Sequence, residues 1–234
     1  MAIERYKVIK VDSPVPDVRI FRLQPVSGRI PTYVPGQFFF LHRLDENGAS
    51  VLRRPYSVAS VPSMDYLEFA IDMVGGQMTG HLAAVKPGDI LGVEGPAGHM
   101  AYKNEQMAAF IAGGTGISPI MSMLRQISEK NVPGRFVLFY STRTRDHVLF
   151  ADELAELQKK HPGIKVVITL TREKPDGWAG ECGRVNHEML VRHVQAANEF
   201  EWFVCGPPMM VKAVRECLVA LSVDPKKLRM EGWG

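Results

Sequence analysis

The stretch Met107-Ala108-Ala109-Phe110-Ile111-Ala112-Gly113-Gly114-Thr115-Gly116-Ile117-Ser118-Pro119 divides the chain. The apolar run Met107–Gly113 reads as a buried strand, the glycines as a tight turn, and Ile117–Glu129 as a helix. A G-x-G-x-x-P pattern thus stands between strand and helix, where a dinucleotide fingerprint has G-x-G-x-x-G. Glycines let a pyrophosphate approach the backbone, and Pro119 suits the first helical turn, where its missing N–H is not needed. A purely structural glycine turn is the alternative.

Downstream the alternation continues. Phe136–Tyr140, Ile164–Leu170 and Trp202–Cys205 read as strands, each followed by a helical segment, near Val148–Lys160, Asn186–Val194 and Pro208–Leu221. This half is expected to be an α/β domain around a parallel sheet. Upstream, short apolar runs at Tyr6–Val11, Val18–Leu23, Gln37–His42, Tyr56–Ser60, Leu67–Met73 and Ile90–Glu94 are punctuated by Pro, Gly, Asp and Ser. Six such strands suggest a small antiparallel barrel. The polar segment Ala101–Gln106 is the expected boundary, giving domains 1–102 and 103–234.

Composition bounds the rest. The 234 residues are 46% hydrophobic and 23% charged, which excludes disorder and allows roughly 70% of the unfolded surface to be buried, in one large core or two small ones. A net charge of +3 lacks the clustered basic excess that nucleic-acid binding needs. No apolar run approaches a membrane span, and the N-terminus lacks a signal peptide's apolar stretch, so a soluble, unprocessed protein is expected. Cys182, Cys205 and Cys217 are too few for a disulfide framework and match no metal-ligand spacing, so no metal is expected and the compartment should be cytoplasmic.

Further constellations carry chemistry. In Arg54-Pro55-Tyr56-Ser57 a guanidinium could fork onto a phosphate, a ring cover a flavin face and a hydroxyl reach flavin N5. Alternatively, Tyr56 is a core-edge aromatic and Arg54 a solvated charge. Gly75-Gly76-Gln77-Met78-Thr79-Gly80 leads into a helix, with Thr79 either its N-cap or a phosphate donor. At the tip of the second α/β strand, Tyr140-Ser141-Thr142-Arg143-Thr144-Arg145 lacks the acidic residue that usually selects NAD. Thr142, Arg143 and Arg145 suit a 2′-phosphate, which favours NADP(H) over NAD(H). Cys205-Gly206-Pro207-Pro208-Met209 ends another strand, and Cys205 is there either an inert buried thiol or a group at the crevice. The tail Glu231-Gly232-Trp233-Gly234 sets a large ring where chains usually fray, so Trp233 should pack on the protein's own core or beside a flavin.

In this order, Arg54–Ser57, Gly76–Thr79, Gly114–Pro119, Cys205–Met209 and Glu231–Trp233 resemble the motifs of the ferredoxin–NADP reductase family, over essentially the whole chain. Lys86-Pro87-Gly88-Asp89 and Gly95-Pro96-Ala97-Gly98 agree with it. The resemblance implies a six-stranded antiparallel flavin barrel followed by a Rossmann-like α/β domain with a five-stranded parallel sheet. It implies that Arg54 holds an FAD phosphate, that Pro55 and Tyr56 lie along the flavin, and that Ser57 bonds N5. Gly76, Met78 and Thr79 complete the diphosphate site. Gly114, Thr115, Gly116, Cys205, Gly206, Pro207 and Met209 flank the nicotinamide nucleotide. Ser57, Cys205 and Glu231 stand at the reacting centre and Trp233 stacks on the flavin ring, although Gly234 extends the tail beyond the family's terminal aromatic.

The implied activity is FAD-dependent NAD(P)H oxidoreduction. The implied partner is an electron carrier on another molecule, such as ferredoxin, flavodoxin or an oxygenase component, because the chain has no four-cysteine cluster of its own. A flavin reductase holding flavin loosely and an electron-relay subunit of a larger complex are the alternatives.

Overall fold

The computed structural model describes residues 2–233. Six strands form the first half: β1 (Glu4–Val15), β2 (Val18–Pro25), β3 (Phe38–Leu44), β4 (Ser50–Ser57), β5 (Leu67–Asp72) and β6 (Ile90–Ala97), with α1 (Gln77–Leu82) between the last two. All pair antiparallel, in the order β4-β3-β6-β1-β2-β5. Beyond β4 the chain turns to β5, where Ala59 N–H donates to Glu68 O at 2.7 Å, and this brings the two ends of the sheet together. Tyr6, Val8, Phe21, Leu23, Phe39, Leu41, Phe69 and Ile71 fill the interior at alternate strand positions.

The expected fourth strand, Tyr56–Ser60, is displaced: β4 runs Ser50–Ser57. Its Arg53-Arg54-Pro55 core reads as loop, yet an edge strand tolerates charge and proline because its outer backbone groups need no partner.

The second half holds β7 (Met107–Gly113), α2 (Ile117–Glu129), β8 (Arg135–Thr142), α3 (Ala151–Lys160), β9 (Ile164–Leu170), β10 (Glu181–Cys182), α4 (His187–His193), β11 (Glu201–Gly206), α5 (Pro208–Ala220) and β12 (Leu228–Gly232). The strands are all parallel, ordered β10-β9-β8-β7-β11-β12. The five-stranded expectation is therefore corrected to six. The two-residue β10 joins the β9 edge, tied by Glu181 to Arg192 (2.8 Å) and His193 (2.7 Å) of α4.

Alternation along β7 builds two layers. Ala108, Phe110 and Ala112 face α2 and α3, while Ala109 and Ile111 face the α4–α5 side. The α2 layer extends to Val18, Ile20, Ala59 and Ala70 of the first half, so the halves share a buried core. Among the described residues no helix is long and apolar enough to cross a membrane, and no cluster of His, Cys, Asp or Glu has metal-holding geometry.

Candidate functional site

The strand order reverses between β7 and β11, and at such a switch point the carboxyl ends of parallel strands open a crevice. Gly114–Gly116 forms a single 3-10 turn leading into α2, with Gly114 at φ +54°. Tyr140 donates its hydroxyl to Gly114 O at 3.2 Å and steadies the turn. A Cβ on Gly116 would lie 2.3 Å from Cys205 O, so glycine alone lets the two turns meet. Thr115 is half-buried here, and Met209 stands exposed on the first turn of α5, whose N-cap is Pro207.

Cys205 is fully buried between Ala112 of β7 and Glu231 of β12. Burial, reinforced by the Glu231 charge, pushes its thiol up to about 12, with the neighbouring Trp233 side chain acting in the opposite direction. Burial likewise raises the Glu231 carboxyl, against the opposing effects of the Met100 backbone and the His99 charge. The strand β12 was not expected from the sequence. It carries the tail beside β11, and Trp233 N–H donates to Gly206 O at 3.1 Å.

The tail reaches the first half. The Trp233 ring meets Phe38 edge to face at 5.8 Å, and Phe38 is the register partner of Ser57. Gly98 lies between Phe38 and Glu231, where a Cβ would sit 2.9 Å from the Phe38 ring and 3.5 Å from Glu231 Oε1. Ser57 Oγ, Glu231 Oε2 and Trp233 Nε1, all around Phe38 and Gly98, are buried without a hydrogen-bond partner. Buried polar atoms are nearly always paired, so three orphans around one aromatic pair suit a planar polar ring lying against them. The residues present therefore fit a flavin.

The other flavin-directed residues follow β4. Tyr56 is half-buried against the barrel core, and burial pushes its phenol up to about 12, opposed by Arg54. Pro55 is half-buried, and Arg54 is exposed, donating to Arg53 O at 2.8 Å. Beyond Arg54 a cavity of about 440 Å³ is lined by Arg43, Asp45, Val51, Leu52 and Gln77.

In α1 the N-cap is Gly76 rather than Thr79. Thr79 is buried and donates its hydroxyl back to Gly76 O at 3.2 Å, while Met78 points into the barrel core. Neither side chain is free to reach out of the turn. Thr142 is similarly turned inward, its hydroxyl donating to Thr144 O at 3.1 Å, while Arg143, Arg145 and Asp146 stand exposed at the β8 tip. Arg143 bears electrostatically on Asp72 of β5 across the crevice. Sequence reasoning missed Glu173, whose carboxylate accepts the Arg145 N–H at this rim.

Family models for an oxidoreductase FAD-binding domain and an oxidoreductase NAD-binding domain match residues 5–102 and 110–216. The chain is 32% identical to NADH–cytochrome b5 reductase 1 of Arabidopsis thaliana over 88% of its own length and 75% of that protein's. It is 32% identical to the reductase component of propane 2-monooxygenase from Mycolicibacterium goodii, over 94% of this chain and 64% of the relative. In structure it resembles the flavohem-like FAD/NAD-binding domain of nitric oxide dioxygenase from Vibrio cholerae. The TM-score is 0.89 at 22% identity, covering 99% and 98% of the two chains. The chain spans from 26% to 75% of the length of curated relatives it matches. With an FAD-binding barrel joined to an NAD-binding α/β domain at this crevice, the chain belongs to the ferredoxin–NADP reductase family.

Proposed function

We propose that the protein draws electrons from a nicotinamide nucleotide through bound FAD and delivers them to a separate carrier protein. The observation that carries this reading is the convergence of the unpartnered Ser57 Oγ, Glu231 Oε2 and Trp233 Nε1 around Phe38 and Gly98. When bound, FAD would supply the hydride-accepting and one- or two-electron-releasing chemistry.

The chain's residues orient that chemistry. Ser57 would hold N5, Tyr56 and Pro55 would line the ring and ribityl, and Arg54 would fork onto the diphosphate with the backbone of Gly76, Met78 and Thr79. The cavity beside Leu52 and Gln77 receives the adenosine end. Gly114, Thr115, Gly116, Gly206, Pro207 and Met209 shape the nicotinamide side, and Cys205 backs it as a neutral thiol. Glu231 sets a buried carboxyl, its charged form disfavoured, near the reacting centre, and Trp233 covers the ring face that the nicotinamide needs, gating access.

Arg143 and Arg145 favour NADP(H), because two exposed guanidinium groups at the β8 tip suit a 2′-phosphate. Glu173 at the same rim favours the second reading, NADH, as an acceptor for ribose hydroxyls. The carrier is a ferredoxin, a flavodoxin or an oxygenase component, in keeping with relatives named as a cytochrome b5 reductase and a monooxygenase reductase component. Three free cysteines suit a cytoplasmic location.

Steady-state rates with NADPH and NADH and an artificial acceptor, alongside the absorbance of the gel-filtered protein, test this reading. A yellow protein reducing the acceptor, at least tenfold better with NADPH and losing that margin in Arg143→Ala/Arg145→Ala, is expected. A colourless protein points to a flavin reductase, and one that holds flavin but reduces no acceptor alone points to a relay subunit.

A further inference from the structure

A closed polar network crosses between the two halves away from the crevice. Arg125 of α2 is only 8% exposed, and its Nη1 donates to Glu68 Oε1 and to Ala59 O, each at 2.7 Å. Its Nε and Nη2 grip both oxygens of Glu153 on α3 at 2.6 and 2.7 Å. Glu68, 1% exposed on β5, takes Arg22 on its other oxygen at 2.7 Å. One turn earlier in α2, Ser122 Oγ donates to Ser60 O at 2.6 Å. Ser60 Oγ accepts Glu68 N–H at 3.0 Å and lies 3.2 Å from Tyr33 Oη.

The placement of this network links it to the site. Ala59 and Ser60 lie two and three residues after Ser57, at most about 7–10 Å along the chain. The helix that reaches them starts at the Gly114–Gly116 turn, and Arg125 lies about 12 Å along it from Ile117. One helix therefore connects the nicotinamide turn to the strand exit that carries the flavin-facing hydroxyl. Apolar packing between domains is non-directional, whereas the buried Nη1 of Arg125, donating to both Ala59 O and Glu68 Oε1 across the seam, fixes a direction. Buried ion pairs contribute little net stability compared with apolar packing, so geometry is the better account of this one.

We infer that Arg125 is a positioning residue, which holds the Gly114–Gly116 turn in register with Ser57 through its contacts to Ala59 and Glu68. This rests on the reading under Proposed function. Misplacing reacting groups by about 1 Å costs on the order of 100-fold in rate.

The test compares the flavin-loaded wild type with Arg125→Gln, with Arg125→Gln/Glu68→Gln, which leaves no uncompensated buried carboxylate if the single variant fails to fold, and with Glu153→Gln. Anaerobic stopped-flow bleaching of the flavin by saturating NADPH or NADH should slow at least tenfold in the Arg125 variants. Nucleotide KM and flavin content should stay within about twofold, and Glu153→Gln should react as the wild type. Hydrogen exchange on the unloaded chain should speed up at least tenfold at residues 58–60 and 114–116 in the double variant, but not in β1 or β2. Wild-type bleaching rates in the Arg125 variants, equal slowing in Glu153→Gln, or unchanged exchange at those residues would overturn the inference. A wild type that neither nucleotide bleaches overturns the proposed function and the rate half of this inference together, while the exchange data still decide the clamp.

Discussion

Cys205 and Glu231 are register partners across the parallel β11–β12 pair, and the carboxylate's charge adds to burial in lifting the thiol to about 12. Cys205 should thus be inert to iodoacetamide at pH 8 in the native protein, while exposed Cys182 is alkylated. A folded value above the ordinary 9.0 means that this thiol's contribution to stability is intact below pH 9 and is lost as pH rises toward 12. Peptide mapping after alkylation reads the first expectation; native labelling of Cys205 would refute it.

Burial also lifts the carboxyl of Glu231, so its charged form is the disfavoured one. The sign follows: the stabilising protonated form is complete below the unfolded value and is lost as pH climbs through the folded one. Glu231→Gln should raise the melting temperature of the flavin-free protein at pH 8, and the gain should shrink toward pH 4. A variant less stable than the wild type at pH 8 contradicts the burial argument.

Ser57 Oγ has no hydrogen-bond partner in the protein. Ser57→Ala consequently removes no internal bond and should change stability by less than about 0.5 kcal/mol. Flavin content should remain near normal while flavin reduction slows. Loss of flavin with a normal rate per bound flavin would show that Ser57 serves binding instead.

Trp233 is held by its backbone to Gly206 O and by its ring to Phe38. Trp233→Ala should uncover the flavin face and change the ratio of kcat/KM for NADPH and NADH, or the KM for both, by about tenfold, equivalent to about 1.4 kcal/mol. Unchanged kinetics with both nucleotides would dispose of the gate.

Gly116 has no room for a side chain against Cys205 O. Gly116→Ala should force the β7 and β11 turns apart, costing about 1–3 kcal/mol and weakening nucleotide binding. Denaturant melts and nucleotide titration measure the two effects, and a neutral substitution would mean that the turns are not in close contact.

Most of the architecture was legible because hydrophobic period and glycine punctuation are local signals. The strand Met107–Gly113 and the helix Ile117–Glu129 stand at their expected bounds. The miss at β4 arose because Arg53, Arg54 and Pro55 suit an edge strand yet carry loop chemistry. The miss at β12 arose because the alternation in Leu228-Arg229-Met230-Glu231 spans only two apolar residues, neither β-branched nor aromatic; its register with Trp202–Gly206 makes it a strand.

Within the candidate site, the glycine turns at the strand ends were legible, but side-chain use was not. Thr79 and Thr142 spend their hydroxyls on their own turns, which depends on backbone angles that residue types do not specify. Glu173 gave no signal, since it is one acidic residue in a loop far from the β8 tip in sequence.

Residue order alone established an antiparallel half followed by a parallel α/β half, with glycine turns at strand ends, since strand and helix periods and turn chemistry are short-range properties. Tertiary structure decided what faces what. In Leu67-Glu68-Phe69-Ala70-Ile71 the alternation assigns Glu68 to solvent, and only the docking of α2 buries it against Arg125. It likewise took the pairing of β12 with β11 and the contact of Trp233 with Phe38 to bring Ser57 and Glu231, far apart in the chain, to one seam. Long-range packing sets those distances, and no local pattern encodes them.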